Sequence, residues 1–95
     1  PSAPAAITIA ATPTSISLFF PSNPETDVIG YSVYRTTEES LPKESWELLT
    51  KEPITANTYQ DERVESGKVY FYYVTATDKN KNVSEPSEVV SEKVP

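Results

Sequence analysis

The sequence predicts an all-β fold: a seven-stranded antiparallel sandwich of two sheets. Three observations carry this. Apolar side chains recur at every second position in several separate runs, the strand period, and no run has helical spacing. Turn residues interrupt these runs about every eight to twelve positions, the spacing of a small sandwich. One Trp, six Tyr and three Phe in 95 residues supply bulk enough for a core.

The elements follow in order. Ile7 and Ile9 alternate with small and polar residues until Pro13 breaks the run. Ile16, Leu18 and Phe20 form a second run, with Ser15, Ser17 and Phe19 between them, and Pro21, Asn23 and Pro24 end it. In the third, Ile29, Tyr31 and Val33 share one face and Gly30, Ser32 and Tyr34 the other. The polar stretch from Thr36 to Ser45 reads as a loop, in which Pro42 excludes a continuous helix. Trp46 to Leu49 reads as a short edge strand of open parity, since either Leu48 or Leu49 could share the buried face with Trp46. Thr58 to Gln60 is another brief strand. The longest begins after Gly67, with Tyr70, Tyr72, Val74 and Ala76 on one side and Phe71, Tyr73 and Thr75 on the other. Asp78 to Asn82 is a turn, because Asp and Asn bond their own backbone and tolerate left-handed φ. A last strand returns near Val89 to Val94. The expected core is Ile16, Leu18, Phe20, Tyr31, Val33, Tyr59, Tyr70, Tyr72 and Val74. Pro1 and Pro4 mark residues 1–4 as a linker stub ahead of one domain spanning 5–95.

Composition removes most chemistry. With no Cys there is no disulfide, thiolate nucleophile or Cys-ligated zinc, and with no His the usual general base and the commonest metal ligand are missing. Fourteen acidic against eight basic side chains, net −6, oppose binding to nucleic acid or to an anionic membrane surface. No run approaches the roughly 18 apolar residues of a membrane span. The opening Pro1-Ser2-Ala3-Pro4 lacks the charged start and apolar centre of a signal peptide, and the absence of an initial Met suggests a segment of a longer chain.

The order of residues from about Ala5 to Val94 resembles a fibronectin type III domain. The resemblance is carried by Ser15-Ile16-Ser17-Leu18-Phe19-Phe20, with Phe20 where that family has tryptophan, and by Ile29-Gly30-Tyr31-Ser32-Val33-Tyr34-Arg35. Val64, Gly67, Tyr70, Tyr72, Val74 and Ala76 resemble its sixth-strand region, and Ser84-Glu85-Pro86-Ser87 the start of its last strand. Asn23 to Asp27 and Ala76 to Ser84 look most like the bacterial extracellular form, in which glycine stands at the place of Lys81, so that Asn80 or Asn82 would carry the left-handed turn residue here. The resemblance implies the immunoglobulin-like β-sandwich of fibronectin type III topology. It also implies a structural tyrosine corner at Tyr70, a buried ring whose hydroxyl bonds upstream backbone where the chain crosses between sheets. No Arg-Gly-Asp tripeptide is present, so integrin attachment is not implied.

Candidate sites are few. The carboxylate pairs Glu38-Glu39, Asp61-Glu62 and Glu85 with Glu88 read as solvating charge, because glycosidase chemistry needs two carboxyls across a cleft with one pKa raised by burial. Asp78-x-Asn80-x-Asn82 begins like a calcium loop, but Val83 stands where the loop needs Gly and Val89 where it needs Glu, leaving a hairpin turn. Parity groups Tyr34, Phe71 and Tyr73 on the outward face of the sheet holding the third and sixth strands. Three solvent-facing rings there would be a possible interaction surface for a neighbouring domain, another protein or a sugar ring, or cross-strand pairs that steady the sheet. Trp46 reads as core or edge cover, and Asn82-Val83-Ser84 as a glycosylation sequon relevant only in a eukaryotic secretory host.

The expectation is therefore no enzyme, no catalytic residue, no metal and no cofactor. The chain reads as a non-catalytic spacer or protein-interaction module of a larger, multidomain bacterial protein, secreted or at the cell surface, and a monomer when isolated. Its partners would be neighbouring domains of the parent chain or another protein, with neither nucleic acid nor membrane insertion. The alternative is a carbohydrate-binding module that takes polysaccharide on the exposed aromatic face.

Overall fold

The computed structural model describes residues 1–95 and holds seven strands: β1 (Thr8–Thr12), β2 (Ser15–Phe19), β3 (Val28–Thr36), β4 (Glu47–Leu48), β5 (Thr58–Asp61), β6 (Val69–Asp78) and β7 (Val90–Lys93). They form a three-stranded sheet in the order β1-β2-β5 and a four-stranded sheet in the order β4-β3-β6-β7. Every neighbour in both sheets is antiparallel. The fold is the two-sheet sandwich that the alternation predicts.

Between the sheets lie Ile16, Leu18, Phe20, Tyr31, Val33, Tyr70, Tyr72, Val74, Ala76 and Val94. Eight of the nine expected core residues are in this cluster, and Tyr59 is the exception. It stands on the edge strand β5, half-buried against the core, and its hydroxyl donates to the Leu49 carbonyl at 3.4 Å. Phe20 lies one residue beyond β2 and still packs inward, its ring 4.9 Å from that of Tyr31 in an edge-on contact. The parity left open at β4 resolves as follows: Leu48 pairs with Tyr34 on the outer face, and Leu49 packs against the core.

Hydroxyl groups extend the four-stranded sheet where strands stop. Leu49 N–H donates to Val33 O, and the return bond from Val33 N–H goes to Thr50 Oγ1 at 3.2 Å. On the other flank the backbone N–H groups of Ser84 and Ser87 donate to Ala76 O and Val74 O, while the Ala76 and Val74 N–H groups donate to Ser84 Oγ and Ser87 Oγ, both at 2.9 Å. Pro86 prevents a regular strand here, so serine oxygens stand in for the carbonyls that β6 would otherwise meet. The stretch from Ser84 to Ser87 thus lies along β6 without being part of β7, which begins at Val90.

Gly30 permits one close crossing. A Cβ there would lie 2.8 Å from Pro53 Cβ and 2.9 Å from Ile54 O, and it is this approach that lets Tyr31 and Ile54 exchange two backbone hydrogen bonds of 2.8 Å. The pairing of β3 with β6 shifts register between Val28 and Gly30 at the same place, so Ile29, expected on the inner face with Tyr31 and Val33, is exposed and Val28 packs against the core instead.

The strand directions put the chain's two ends on opposite poles. One pole carries residues 1–4 with the β2–β3, β4–β5 and β6–β7 connections, and the other carries the β1–β2, β3–β4 and β5–β6 connections with Pro95. The long axis measures 39 Å. Residues 1–4, read as a linker stub, are hydrogen-bonded to the β2–β3 connection. Pro4 is buried, the Ser2 hydroxyl donates to Glu25, and Asn23 Nδ2 bridges Ser2 O at 2.6 Å and Glu25 Oε1 at 3.1 Å. At the far pole Gly67 N–H donates to Val94 O and the Ser66 hydroxyl to Pro95 O.

The β6–β7 turn corrects one expectation. Lys81 itself adopts left-handed backbone, φ 66, and neither Asn80 nor Asn82 does. Asp78 dictates this: its Oδ1 accepts the N–H groups of Asn80 and Asn82 at 2.9 and 2.8 Å, and its Oδ2 accepts Asn82 Nδ2 at 3.1 Å. Both asparagines are thereby committed to the Asp78 carboxylate, and the remaining tip position must take the positive φ.

Candidate functional site

The outer face of the four-stranded sheet has two regions of different character. Toward the pole of the β3–β4 connection it is aromatic. Tyr34 and Tyr73 face each other across β3 and β6, their rings stacked at 4.6 Å and 13°. The β3–β4 connection folds back over them through a 3-10 turn at Lys43–Ser45 and sets Trp46 5.1 Å from the Tyr73 ring. Tyr73 donates its hydroxyl to Lys43 O at 3.0 Å, and Trp46 donates Nε1 to Leu41 O at 3.0 Å. Burial, then the neighbouring Tyr34 and Glu44, raises the Tyr73 phenol above its ordinary range.

The three rings expected to stand open are therefore not equivalent. Tyr73 is 5% exposed, roofed by Trp46, while Tyr34 and Phe71 are half-buried. Parity places all three on one face, yet it cannot reveal that a loop returns over the middle one. The aromatic region holds its own covering loop in place, and a flat platform of three rings is absent from it.

Toward the opposite pole the same face opens into a groove of about 610 Å³. Ser32 and Thr77 form its floor, the chain from Leu48 to Pro53 one wall, and Lys81 and Val83 the other. Ile29, Leu48 and Val83 are three of the six large apolar side chains that the molecule leaves exposed, at 49%, 46% and 60%, and all three line this groove. Lys51 and Lys81 stand exposed on its two walls, with Glu52 beside Lys51. Sequence reasoning missed the groove because its walls come from two connections that show no period.

A second polar cluster lies inside the sandwich. Arg35 shares the inner face of β3 with Val33 and pairs in register with Tyr72. Its Nη1 donates to Asp61 Oδ2 at 2.8 Å and to Arg63 O at 3.0 Å, and its Nη2 to Glu47 Oε1 at 2.8 Å. Tyr72 donates its hydroxyl to the same Asp61 oxygen at 2.7 Å. Asp61 belongs to the three-stranded sheet and the other two to the four-stranded one, so the cluster ties sheet to sheet. Burial opposes the Arg35 charge, but the hydrogen bond and charge of Asp61, then those of Glu47, hold its pKa above the ordinary value. Burial, then the Asp61 hydrogen bond and charge, push the Tyr72 phenol far above its usual range. Four hydrogen bonds from Arg35 and Tyr72 end on protein acceptors, three of them on carboxylates, so the cluster acts as a clamp.

Tyr70 stands beside it, 4% exposed, its hydroxyl accepting the Glu65 N–H at 2.8 Å and its ring 5.4 Å from the Arg35 guanidinium. Tyr31 does the same at the other pole, accepting the Asn23 N–H at 2.8 Å. The carboxylates Glu38, Glu39, Glu62, Glu85 and Glu88 are all exposed and do not meet across a cleft, whereas Asp61, expected with Glu62 as solvating charge, is 2% exposed because Arg35 and Tyr72 hold it inside the sandwich; no three His, Cys, Asp or Glu side chains gather as metal ligands would. No helix is long and apolar enough to cross a membrane.

No protein-family model matches the chain, and no curated protein does. Solved structures match it over nearly its whole length. A fibronectin type III-like protein from Clostridium thermocellum superposes with a TM-score of 0.81 at 22% identity, covering 100% of this chain and 94% of that one. The fibronectin type III domain of human contactin 1 gives 0.78 at 16% identity, over 97% of this chain and 76% of that one. A β-1,2-glucanase from Parabacteroides distasonis gives 0.78 at 26% identity, over 97% of this chain and only 12% of the glucanase.

Proposed function

We propose that this chain, a fibronectin type III domain by fold, is a non-catalytic module that holds what adjoins it at a fixed separation within a larger extracellular protein. The observation that carries the reading is the placement of its two ends. Pro1 and Pro95 lie on opposite poles of a molecule 39 Å long, and both end segments are hydrogen-bonded to the loops beside them. A neighbour joined at each end would be spaced by a body whose two sheets are clamped by a packed core and by the Arg35–Asp61–Tyr72 cluster. The match to a small fraction of the glucanase supports a place among other domains, because there the same shape is one part of a much longer chain. Secretion rests on the resemblance of Asn23 to Asp27 and Ala76 to Ser84 to the bacterial extracellular form of this domain.

Small-angle scattering on the chain fused at both ends to compact reporter domains tests this. The expected result is an extended particle with the reporters on opposite sides. Reporters that contact each other, or a scattering curve that fits only a broad ensemble of separations, would refute the spacer reading.

A further inference from the structure

We propose that the groove on the outer face of the four-stranded sheet docks an extended, acidic polypeptide segment through one apolar anchor residue. This rests on the reading of the domain as a module that holds other protein parts, and it assigns the surface and the chemistry of what is held.

Three features of the groove lead to this occupant. Half of the molecule's exposed large apolar side chains, Ile29, Leu48 and Val83, converge on it, which is what a patch that meets another surface looks like. Its volume of about 610 Å³ falls within the range of sites that enclose a ligand, roughly 300 to 1,000 Å³, but it is an open trough suited to a chain laid along it. Its charge runs against that of the molecule. In a chain of net −6, lysines stand on both walls and one carboxylate, Glu52, lines the groove with them, the buried Asp78 carboxylate being turned into its own loop, so flanking Asp or Glu residues on a partner would find complementary charge here and repulsion elsewhere.

Lys81 strengthens the argument. It occupies left-handed backbone that glycine would hold with less strain, in a turn locked by the Asp78 carboxylate. What lysine adds at that tip is an ammonium group on the wall of the groove, opposite Lys51. Strained backbone kept at a recognition site is a common pattern.

Other occupants fit less well. A second copy of the chain would bring another −6 against the first. A sugar ring would stack on an open aromatic face, and no aromatic side chain lines the groove, while the nearest stacked rings are roofed by Trp46.

Phage-displayed random twelve-residue peptides, panned on the full 95-residue chain, test the proposal. Enriched peptides should carry one large apolar residue flanked by Asp or Glu. Synthesised, they should bind at least tenfold more weakly to Leu48→Ser/Val83→Ser and to Lys51→Glu/Lys81→Glu, each checked for an unchanged amide NMR fold signature. Panning on the charge-reversed variant should enrich basic flanks instead. The proposal is overturned if no peptide prefers the wild type to Leu48→Ser/Val83→Ser, if the enriched flanks are neutral or basic, or if gluco-oligosaccharides bind and the same substitutions abolish that binding. A domain that failed this selection could still keep its ends apart in the scattering experiment, so the two readings fail separately.

Discussion

Tyr70 and Tyr31 perform the same task at opposite poles, each offering a hydroxyl oxygen to a backbone N–H of a connection that crosses between sheets. An N–H left without that acceptor close to the core would be costly, so removing the oxygen alone should be felt. Tyr70→Phe is expected to lower stability by about 1 to 3 kcal/mol in chemical denaturation, the usual range for a buried hydrogen bond lost with one partner left behind. An unchanged midpoint would mean that Glu65 finds water instead. Tyr70 was legible from the sequence because a resemblance pointed to it, whereas Tyr31 was legible only as a core ring. Its hydroxyl partner, Asn23, is eight residues away in an irregular loop, and no period reports such a bond. Arg35 and Asp61 were hidden in a similar way. Each is a charged residue on an inner face, and it is the closing of the two sheets that brings them to each other and to Tyr72.

Among the elements, long strands with strict alternation were the most legible: β2, β3 and β6 stand within one or two residues of their expected bounds, because a shift by one position would turn every apolar side chain outward. What joins them was less so. The β3–β4 connection reads as polar loop, yet its fold-back buries Trp46 and Tyr73, and the Ser84 to Ser87 stretch acts as a strand through hydroxyl groups. The β6–β7 turn gives the sharpest test at this scale. Lys81→Gly removes the left-handed strain, about 1 kcal/mol for a residue with a Cβ, and should raise the thermal midpoint while weakening any peptide selected by the groove. Stability and recognition would then be opposed at one residue. A variant that is less stable than the wild type would show that the Lys81 side chain, rather than the Asp78 bonds, holds the turn.

For the whole molecule, the same hydrogen bonds set how stability depends on pH. Glu25, held by Ser2, Glu65, held by Lys68, and Asp78, held first by the Asn82 N–H, all have pKa values below their ordinary ones. Groups depressed in the folded state stabilise it fully above the unfolded carboxylate values, about 4, and lose that contribution as pH falls through the folded values. Tyr72 acts at the other end. Its raised pKa keeps the proton on in the folded state where an unfolded tyrosine releases it, so stability should fall as pH rises past about 10. Thermal midpoints measured from pH 2 to 11 should show a plateau between these limits, and Asp78→Ala should flatten the acid side; a midpoint that keeps rising below pH 3 would contradict the assignment. The absence of cysteine makes the central claim directly measurable, since introduced thiols are the only ones present. Pro1→Cys and Pro95→Cys, spin-labelled together, should give one narrow distance distribution by pulsed electron resonance, near the 39 Å long axis once the label arms are allowed for. A broad distribution, or one centred at less than half that length, would contradict a body that holds its two ends apart.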